Sequence, residues 1–208
     1  VGVTKYVTAD LARMLLDAGC IDLAESRPQA LWSRAEAMAG HEPQPRWHLV
    51  GHLQRNKVNL AVRHASLIHS VDSLRLLEAV SDCATENHRP AVLLQVNVSR
   101  EASKTGFAVE ELPGIWESIV AYAGRVEIRG LMTMAAESAD PEEARPVFAE
   151  LRRLRDRLSE AAATHASGIC LNELSMGMSG DFEPAIEEGA TLIRLGSLLF
   201  EGLSSTTV

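Results

Sequence analysis

The sequence predicts an α/β protein folded as a single (β/α)8 barrel over residues 1–208. Apolar runs alternate with amphipathic stretches from one end of the chain to the other, and the runs are almost continuously apolar, as in parallel strands covered by helices. Eight such runs favour closure of the sheet into a barrel. The rival fold, a doubly wound sheet, usually has a glycine-rich phosphate turn after its first strand, and here that position reads Thr4-Lys5-Tyr6-Val7.

The predicted strands are apolar runs bounded by polar or glycine residues. In chain order they are 1–4, 21–24, 47–51, 67–71, 91–98, 126–132, 169–175 and 191–195. Helices are predicted between them at about 8–18, 27–38, 55–64, 73–87, 109–123, 141–164 and 181–188. The sixth helix has the clearest start, because Asp140 is suited to an N-cap, Pro141 to the first helical position and Glu143 follows three residues after the cap.

Charge and composition exclude several function classes. The formal net charge of -8 argues against a general nucleic-acid binder, since such proteins cluster Lys and Arg against phosphates. The arginine-rich stretch at 152–157 is interrupted by an acidic residue and is interpreted as a solvated helix face. His48 and His52 are spaced to share a strand face, but no carboxylate or cysteine pattern accompanies them, and no metal site is predicted.

The expected compartment is the cytoplasm. The three cysteines are widely spaced without a CxxC pair, which fits neither a disulfide framework nor a zinc site. No stretch approaches the roughly 20 apolar residues of a membrane span, and no membrane partner is expected. The sequence begins without Met on an apolar run, so we expect an N-terminal segment to be missing, through truncation or engineering.

Lys5 is the most informative residue, as one of only three lysines in the chain. It follows the first predicted strand, where an amine can serve as a Schiff-base nucleophile in a partly desolvated pocket. Barrels use the C-terminal ends of their strands as the functional face and commonly bind phosphate at the loops after strands seven and eight. The segments Gly196-Ser197 and Gly177-Met178-Ser179 fall in those loops and offer glycine backbone and hydroxyl donors.

An amine opposite a phosphate site suggests a phosphorylated carbonyl ligand held as an imine, and pyridoxal 5'-phosphate fits that description. Arg194 lies two residues before the Gly196-Ser197 pair, where an alternating strand would point it into the barrel mouth. There it would donate a hydrogen bond to a pyridine nitrogen and leave that nitrogen unprotonated. The alternative is a structural ion pair between Arg194 and a carboxylate such as Glu25.

The chain resembles the pyridoxal phosphate homeostasis proteins, single-domain relatives of the alanine racemase N-terminal barrel, along nearly its whole length. The combination of a strand-one lysine with the SMGMS and IRLG motifs is specific to that pattern. The matching segments are Val3-Thr4-Lys5, 47–57 (WHLVGHLQRNK), Ser70-Val71-Asp72-Ser73, Gln95-Val96-Asn97-Val98-Ser99, Ser103-Lys104-Thr105-Gly106, 129–134 (RGLMTM), 174–179 (LSMGMS) and Ile193-Arg194-Leu195-Gly196.

The resemblance implies a role for each matching position. Lys5 matches the Schiff-base lysine, and Arg194 matches the arginine near the pyridine nitrogen. The phosphate-binding positions and two further pocket positions are matched by Ser179, Gly196, Ser197, Asn97 and Met178.

Two departures from the family pattern stand out. Ser26, within Ala24-Glu25-Ser26, replaces the asparagine of the family's Gly-Glu-Asn, so a cofactor-facing amide becomes a shorter hydroxyl. The family's helical segment before strand one is also absent from the sequence. We expect these changes to bear on cofactor affinity and on fold stability respectively.

The function implied by the resemblance is vitamin B6 cofactor homeostasis without established catalytic turnover. The protein would be a monomer that holds pyridoxal phosphate, with pyridoxal-phosphate-dependent enzymes as recipients. Two alternatives remain open: a pyridoxal-phosphate-dependent enzyme of the amino-acid racemase type, and a Schiff-base aldolase that uses Lys5 without a cofactor. A two-base racemase takes its second base from a C-terminal β-domain, and Tyr6 is the only tyrosine here expected near the mouth.

Overall fold

The structure is a computed structural model that describes residues 1–101, 104–164 and 168–203. Within these ranges, seven strands form one parallel sheet in chain order. They are β1 (Gly2–Val3), β2 (Asp22–Glu25), β3 (Arg46–Leu49), β4 (Leu67–Val71), β5 (Ala91–Asn97), β6 (Glu127–Met132) and β7 (Glu173–Ser175). A further two-residue strand, Phe107–Ala108, pairs with the end of β5. The predicted parallel arrangement of the strands is confirmed. Ser103, which belongs to one of the segments that resemble the family, lies outside the described residues.

The predicted eighth strand is not a continuous strand. Residues 191–195, here called the closing segment, make only isolated parallel bridges, from Leu192 to Ser175 and from Leu195 to Gly2. The backbone N–H of Leu192 bonds towards β7, whereas that of Leu195 reaches the carbonyl of Val1 at 3.0 Å, so the segment's donors change sides before a regular ladder forms. The segment still joins both edges of the sheet, and the barrel closes through it.

The helices lie near the predicted positions. They are α1 (Ala9–Asp17), α2 (Pro28–Ala37), α3 (Val58–His64), α4 (Leu74–Asp82), α5 (Trp116–Val120), α6 (Arg145–Thr164) and α7 (Phe182–Glu187). Asp140 is an N-cap as predicted, since its Oδ1 accepts a hydrogen bond from the N–H of Glu142 at 2.9 Å, but it caps a 3-10 turn, Pro141–Ala144, and α6 itself begins after that turn. The predicted helix over 109–123 is shorter and begins as a 3-10 turn at Leu112–Ile115. Pro113 and Gly114 in that turn account for the difference.

Two apolar layers hold the barrel together. Along β5, Val92 and Leu94 belong to the large cluster between the strands and the helices, whereas Leu93 belongs to a small cluster inside the barrel. Strand alternation produces this division, since successive side chains point to opposite faces. The inner cluster contains few residues, and on β4 and β5 its members Leu67 and Leu93 alternate with the buried polar side chains of His69 and Gln95.

The charged face of α6 follows the sequence-based interpretation. On α6, Arg152 pairs with Glu188 at 3.1 Å and Arg155 with Asp156 at 2.6 Å, as a solvated helix face requires. No helix in the described ranges is long and apolar enough to cross a membrane. Among the same residues, no group of three or more potential metal-ligating side chains converges.

Candidate cofactor site at the barrel mouth

Lys5 and Gly196 leave the sheet side by side. The backbone N–H of Val3 donates to the carbonyl of Leu195 at 2.7 Å, so the residues that follow these two emerge from adjacent positions at the C-terminal end of the barrel. The Lys5 side chain is exposed and its Nζ lies 4.6 Å from the centroid of the Tyr6 ring. Within the described part of the chain, no carboxylate forms an ion pair with Lys5. The predicted amine therefore lies at the mouth, and no ion pair in the described residues engages it.

A buried ion pair holds the turn that carries Lys5. Glu25, 2% exposed, accepts a hydrogen bond from Thr4 Oγ1 at 2.6 Å, and its Oε1 lies 3.3 Å from Arg34 Nε. Arg34 also donates to the carbonyl of Thr4 at 3.2 Å and to the carbonyl of Val7. Burial raises the pKa of Glu25, although its contacts with Thr4 and Arg34 oppose that rise. The two carbonyls on either side of Lys5 are thus fixed to α2.

This ion pair is not apparent from the sequence. The sequence offers Glu25 as a partner for Arg194, and Arg34 lies within the predicted helix at 27–38 without any distinguishing feature. Nothing in their spacing distinguishes a buried pair from two surface charges, because Glu25 ends β2 and Arg34 lies on the following helix.

Backbone and hydroxyl donors converge after β7 and after the closing segment. The Ser179 Oγ lies 3.3 Å from the backbone N of Gly196 and 3.4 Å from that of Leu198 and accepts from both. Ser197 is exposed beside them and opens the 3-10 turn Ser197–Phe200. Closely spaced N–H groups of this kind suit an anion. The structure therefore brings Ser179, Gly196 and Ser197 together, as predicted.

Gly177 shapes the loop that carries Ser179. Its φ is +89°, a conformation that side chains rarely adopt, and an added Cβ would lie 2.6 Å from the Cβ of Ala185. The glycine lets the loop turn back against α7, which places Ser179 next to Gly196.

Arg194 lies buried below these donors. Its Nη1 donates to Ser175 Oγ at 2.7 Å and its Nη2 donates to the Thr133 carbonyl at 3.0 Å. The predicted alternative, an ion pair with Glu25, is wrong, because Glu25 pairs with Arg34. Among the described residues, Arg194 has no ion-paired carboxylate.

The charge of Arg194 survives this burial. Burial lowers the pKa of Arg194 to about 10, and attraction from Asp181 opposes the change. The guanidinium therefore remains protonated at neutral pH. Two of its five N–H donors bond to protein oxygens in the described residues, and a buried cation without a carboxylate suits a ligand that brings an acceptor.

The remaining predicted positions lie at the ends of other strands. Asn97 ends β5, and its Nδ2 donates to the carbonyls of Glu101 at 2.9 Å and Lys104 at 3.2 Å, so the amide anchors its own loop. Ser26 follows β2, where its carbonyl would lie 2.2 Å from a Cβ added at Gly51. Met178 is 36% exposed. Ser26 and Met178 are thus placed at the barrel mouth, and Asn97 serves its loop.

His48 and His52 do not share a face, contrary to the sequence-based expectation. Strand β3 ends at Leu49, so the two-residue alternation does not extend to His52. The His48 side chain is buried inside the barrel, whereas that of His52 is 58% exposed and lies 3.3 Å from Asp72. His52 is therefore exposed at the mouth, where it pairs with the largely buried side chain of Asp72.

A row of interior hydrogen bonds leads away from Arg194 and was not predicted. It runs through Ser175, His69 and His48 to Asp22 at the start of β2. We call these five residues the interior hydrogen-bond chain. The sequence signal was a histidine in the apolar run at 67–71, which is easily interpreted as a filled core position.

The fold and the site define a class: an α/β barrel of the alanine racemase N-terminal type, with an amine and a group of backbone N–H and hydroxyl donors at the C-terminal ends of its strands. Residues 6–204 match the family model described as "Alanine racemase, N-terminal domain". An alanine racemase of Clostridium difficile has the same fold at 13% identity, with a TM-score of 0.71 over 99% of this chain and 56% of that chain.

The nearer similarities define the family. The chain is 38% identical, over 96% of its length and 84% of the relative, to a pyridoxal phosphate homeostasis protein of Aquifex aeolicus. The solved structure of PipY from Synechococcus elongatus, with PLP bound, superimposes with a TM-score of 0.86 and 34% identity over 96% of this chain and 91% of that one. The chain belongs to the pyridoxal phosphate homeostasis protein family.

Proposed function

We propose that this protein binds pyridoxal 5'-phosphate at the barrel mouth, as a Schiff base with Lys5, and acts in vitamin B6 cofactor homeostasis. The observation that carries the proposal is Arg194, a buried cation without an ion-paired carboxylate among the described residues. Arg194 lies deeper in the barrel than the Lys5 amine, which likewise has no ion-paired carboxylate among the described residues. The relative from Synechococcus elongatus with PLP bound supports the same ligand.

The residues present fit the group. Lys5 would hold the aldehyde carbon, the N–H groups of Gly196 and Leu198 with the hydroxyls of Ser179 and Ser197 would hold the phosphate, and Arg194 would donate to the pyridine nitrogen. When bound, the group supplies an aldehyde that can hold an amine as an imine and a pyridine ring that can withdraw electrons from the carbon next to the amine nitrogen. Arg194 keeps its own proton, so the ring nitrogen would stay unprotonated and electron withdrawal would be weak. This chemistry favours storage of the cofactor over catalysis.

Ser26, Asn97 and Met178 have supporting roles in the proposal. Ser26 and Met178 would line the mouth, and Asn97 would act through the loop that it anchors. Because Ser26 offers a short hydroxyl, we propose that the cofactor ring makes fewer polar contacts on this side than an asparagine would give.

The proposed context extends beyond the site. We propose that residues 1–208 form one domain that works as a monomer in the cytoplasm and passes the cofactor to pyridoxal-phosphate-dependent enzymes. Storage without turnover is supported by the unprotonated ring nitrogen that Arg194 implies.

Covalent labelling tests the proposal. The purified protein is mixed with pyridoxal phosphate, its visible absorbance is recorded, and borohydride is added before peptide mapping. We expect the reduced cofactor on the peptide that contains Lys5. The label should be lost in Lys5→Ala. Lys57→Ala is the matched control, since Lys57 ends the 3-10 turn Arg55–Lys57 before α3 and is not one of the proposed site residues, so labelling should be unchanged. Label confined to Lys57 or Lys104 would contradict the proposal.

A second measurement separates storage from racemisation. The loaded protein is incubated with single-enantiomer amino acids in deuterated water. Storage predicts that the amino acids keep their optical purity and gain no deuterium at Cα. Deuterium incorporation with loss of optical purity would instead assign the protein to the racemase-type enzymes.

A further inference from the structure

The interior hydrogen-bond chain crosses the barrel from its base to the candidate site. Arg194 Nη1 lies 2.7 Å from Ser175 Oγ, which lies 2.8 Å from His69 Nδ1. His69 Nε2 lies 2.8 Å from His48 Nδ1, and His48 Nε2 lies 3.0 Å from Asp22 Oδ1. His69 is fully buried and His48 is 5% exposed, so the inner links are shielded from solvent. Every link is within hydrogen-bond distance.

Strand register produces the row. In the pairing of β3 with β4, His48 lies beside Leu67, which makes His69 its diagonal neighbour on the interior face. The two imidazole rings are 5.1 Å apart between centroids and tilted by 55°, so their nitrogens meet edge to edge.

The two ends of the row set its direction. Arg194 can only donate hydrogen bonds, and an ionised Asp22 can only accept them. Burial lowers the pKa of His48 and lowers that of His69 well below its usual range, so both rings are neutral at pH 7. The pKa of Asp22 is lowered although burial alone would raise it, because Arg46 and His48 both donate to its carboxylate.

One assignment of protons satisfies every link. His48 donates from Nε2 to Asp22 and must accept at Nδ1. His69 then donates from Nε2 and accepts at Nδ1, where the Ser175 hydroxyl donates. The lone pairs of Ser175 Oγ are left to receive Arg194. A neutral histidine has one donor and one acceptor nitrogen, so each tautomer is determined by its neighbour.

We propose that His48 and His69 are positioning residues for the cofactor site: by holding one tautomer each, they let His69 Nδ1 accept the Ser175 hydroxyl proton, which turns the oxygen's lone pairs towards Arg194 and fixes the guanidinium that would face the cofactor ring. Asp22, at the opposite end of the barrel, sets the direction of the whole row. The inference about the cofactor rests on the proposed function, whereas the tautomers are a property of the protein alone.

Nitrogen NMR of the cofactor-free protein tests the direction. With 15N-labelled histidine, long-range correlations show which ring nitrogen carries the proton, and His48→Gln and His69→Gln assign the signals. Both rings are expected to carry it on Nε2. A proton on Nδ1 of either ring would overturn the assignment.

Asp22→Asn should reverse the row. Arg46 Nη2 lies 2.6 Å from Asp22 Oδ2 and would attract the amide oxygen, so the amide NH2 would face His48 Nε2. Both histidines would then carry the proton on Nδ1. Arg46→Gln is the matched control, since it removes the ion pair at the same carboxylate and keeps the acceptor for His48. An unchanged spectrum in Asp22→Asn would refute the role of Asp22.

Cofactor affinity tests the consequence. Ser175→Ala removes the hydroxyl between His69 and Arg194 and should weaken pyridoxal phosphate binding about tenfold in an absorbance titration, as loss of a hydrogen bond to a charged group predicts. Ser175→Thr keeps a hydroxyl and should restore affinity. Ser81→Ala is the control, because Ser81 is also buried but its hydroxyl donates to the Glu78 carbonyl within α4.

The outcomes separate the two proposals. Unchanged affinity in Ser175→Ala, with wild-type labelling of Lys5, would overturn the positioning role and leave the proposed function intact. A wild-type protein that takes up no cofactor would overturn the proposed function together with the positioning role towards it. The tautomers of the cofactor-free protein would still decide whether the interior hydrogen-bond chain has the direction assigned to it.

Discussion

Arg34→Met is expected to destabilise the protein and to disorder the turn that carries Lys5. Methionine keeps a long unbranched side chain at this position but lacks the guanidinium. The substitution therefore removes the partner of Glu25 and the donors to the Thr4 and Val7 carbonyls. Removing one member of a buried ion pair costs about 3–5 kcal/mol, because the other charge stays buried without compensation. The Arg34 side chain is 17% exposed, so we expect the lower end, about 3 kcal/mol.

Urea unfolding followed by circular dichroism measures this loss. A double variant, Arg34→Met with Glu25→Gln, removes both charges and should be more stable than Arg34→Met alone. Arg13→Met is the surface control: its ion pair with Asp10 joins side chains that are 38% and 87% exposed, and it should cost less than about 1 kcal/mol.

The pH dependence of the same variant gives an independent check. The pKa of Glu25 is already raised by burial and should rise further without Arg34. A group whose pKa is raised on folding contributes stability at low pH that is lost as pH rises through the folded-state pKa. The loss of unfolding free energy in Arg34→Met, relative to the wild type, should therefore be larger at about pH 8 than at about pH 5. A loss below about 1 kcal/mol, or a double variant as unstable as the single one, would refute this reasoning.

Two further predictions concern the loop after β7 and the barrel interior. Ser179→Ala should weaken binding of pyridoxal phosphate about tenfold relative to pyridoxal, since it removes a hydroxyl at the phosphate position; equal losses for both ligands would contradict that position. Because the pKa values of His48 and His69 are lowered on folding, the free energy of unfolding should fall as pH decreases below about 6.5, by up to about 1.4 kcal/mol per ring for each pH unit. In a double variant, His48→Gln with His69→Gln, the free energy of unfolding should decline less steeply from about pH 7 to pH 5 than in the wild type. An equal slope would count against two buried neutral rings.

Sequence patterns predicted the fold because each signal was local. The apolar runs at 67–71 and 91–98 matched β4 and β5 within a residue or two, since period and apolar content are properties of each segment. The run at 191–195 was predicted as a strand for the same reason. Its interruption arises from hydrogen bonding to two different neighbours, which no pattern within the segment encodes.

The candidate site divides in the same way. That Lys5, Ser179 and Gly196 would meet at the mouth followed from chain order, because each follows a predicted strand and parallel strands present their C-terminal ends together. The partner of Arg194 did not follow. Glu25 and Ser175 were both available to an arginine at that position, and the register of the sheet placed Ser175 within reach while α2 supplied Arg34 to Glu25.

The sequence by itself determined the alternation of strands and helices and the eight apolar runs that favour a closed barrel. It also determined the amine and the hydroxyls at the strand ends. The tertiary structure decided which buried polar groups pair: Arg34 with Glu25 behind Lys5, and His48 with His69 across two strands. The physical reason is that a strand's period states which face a side chain occupies, whereas its hydrogen-bond partner depends on the register and curvature of the whole closed sheet.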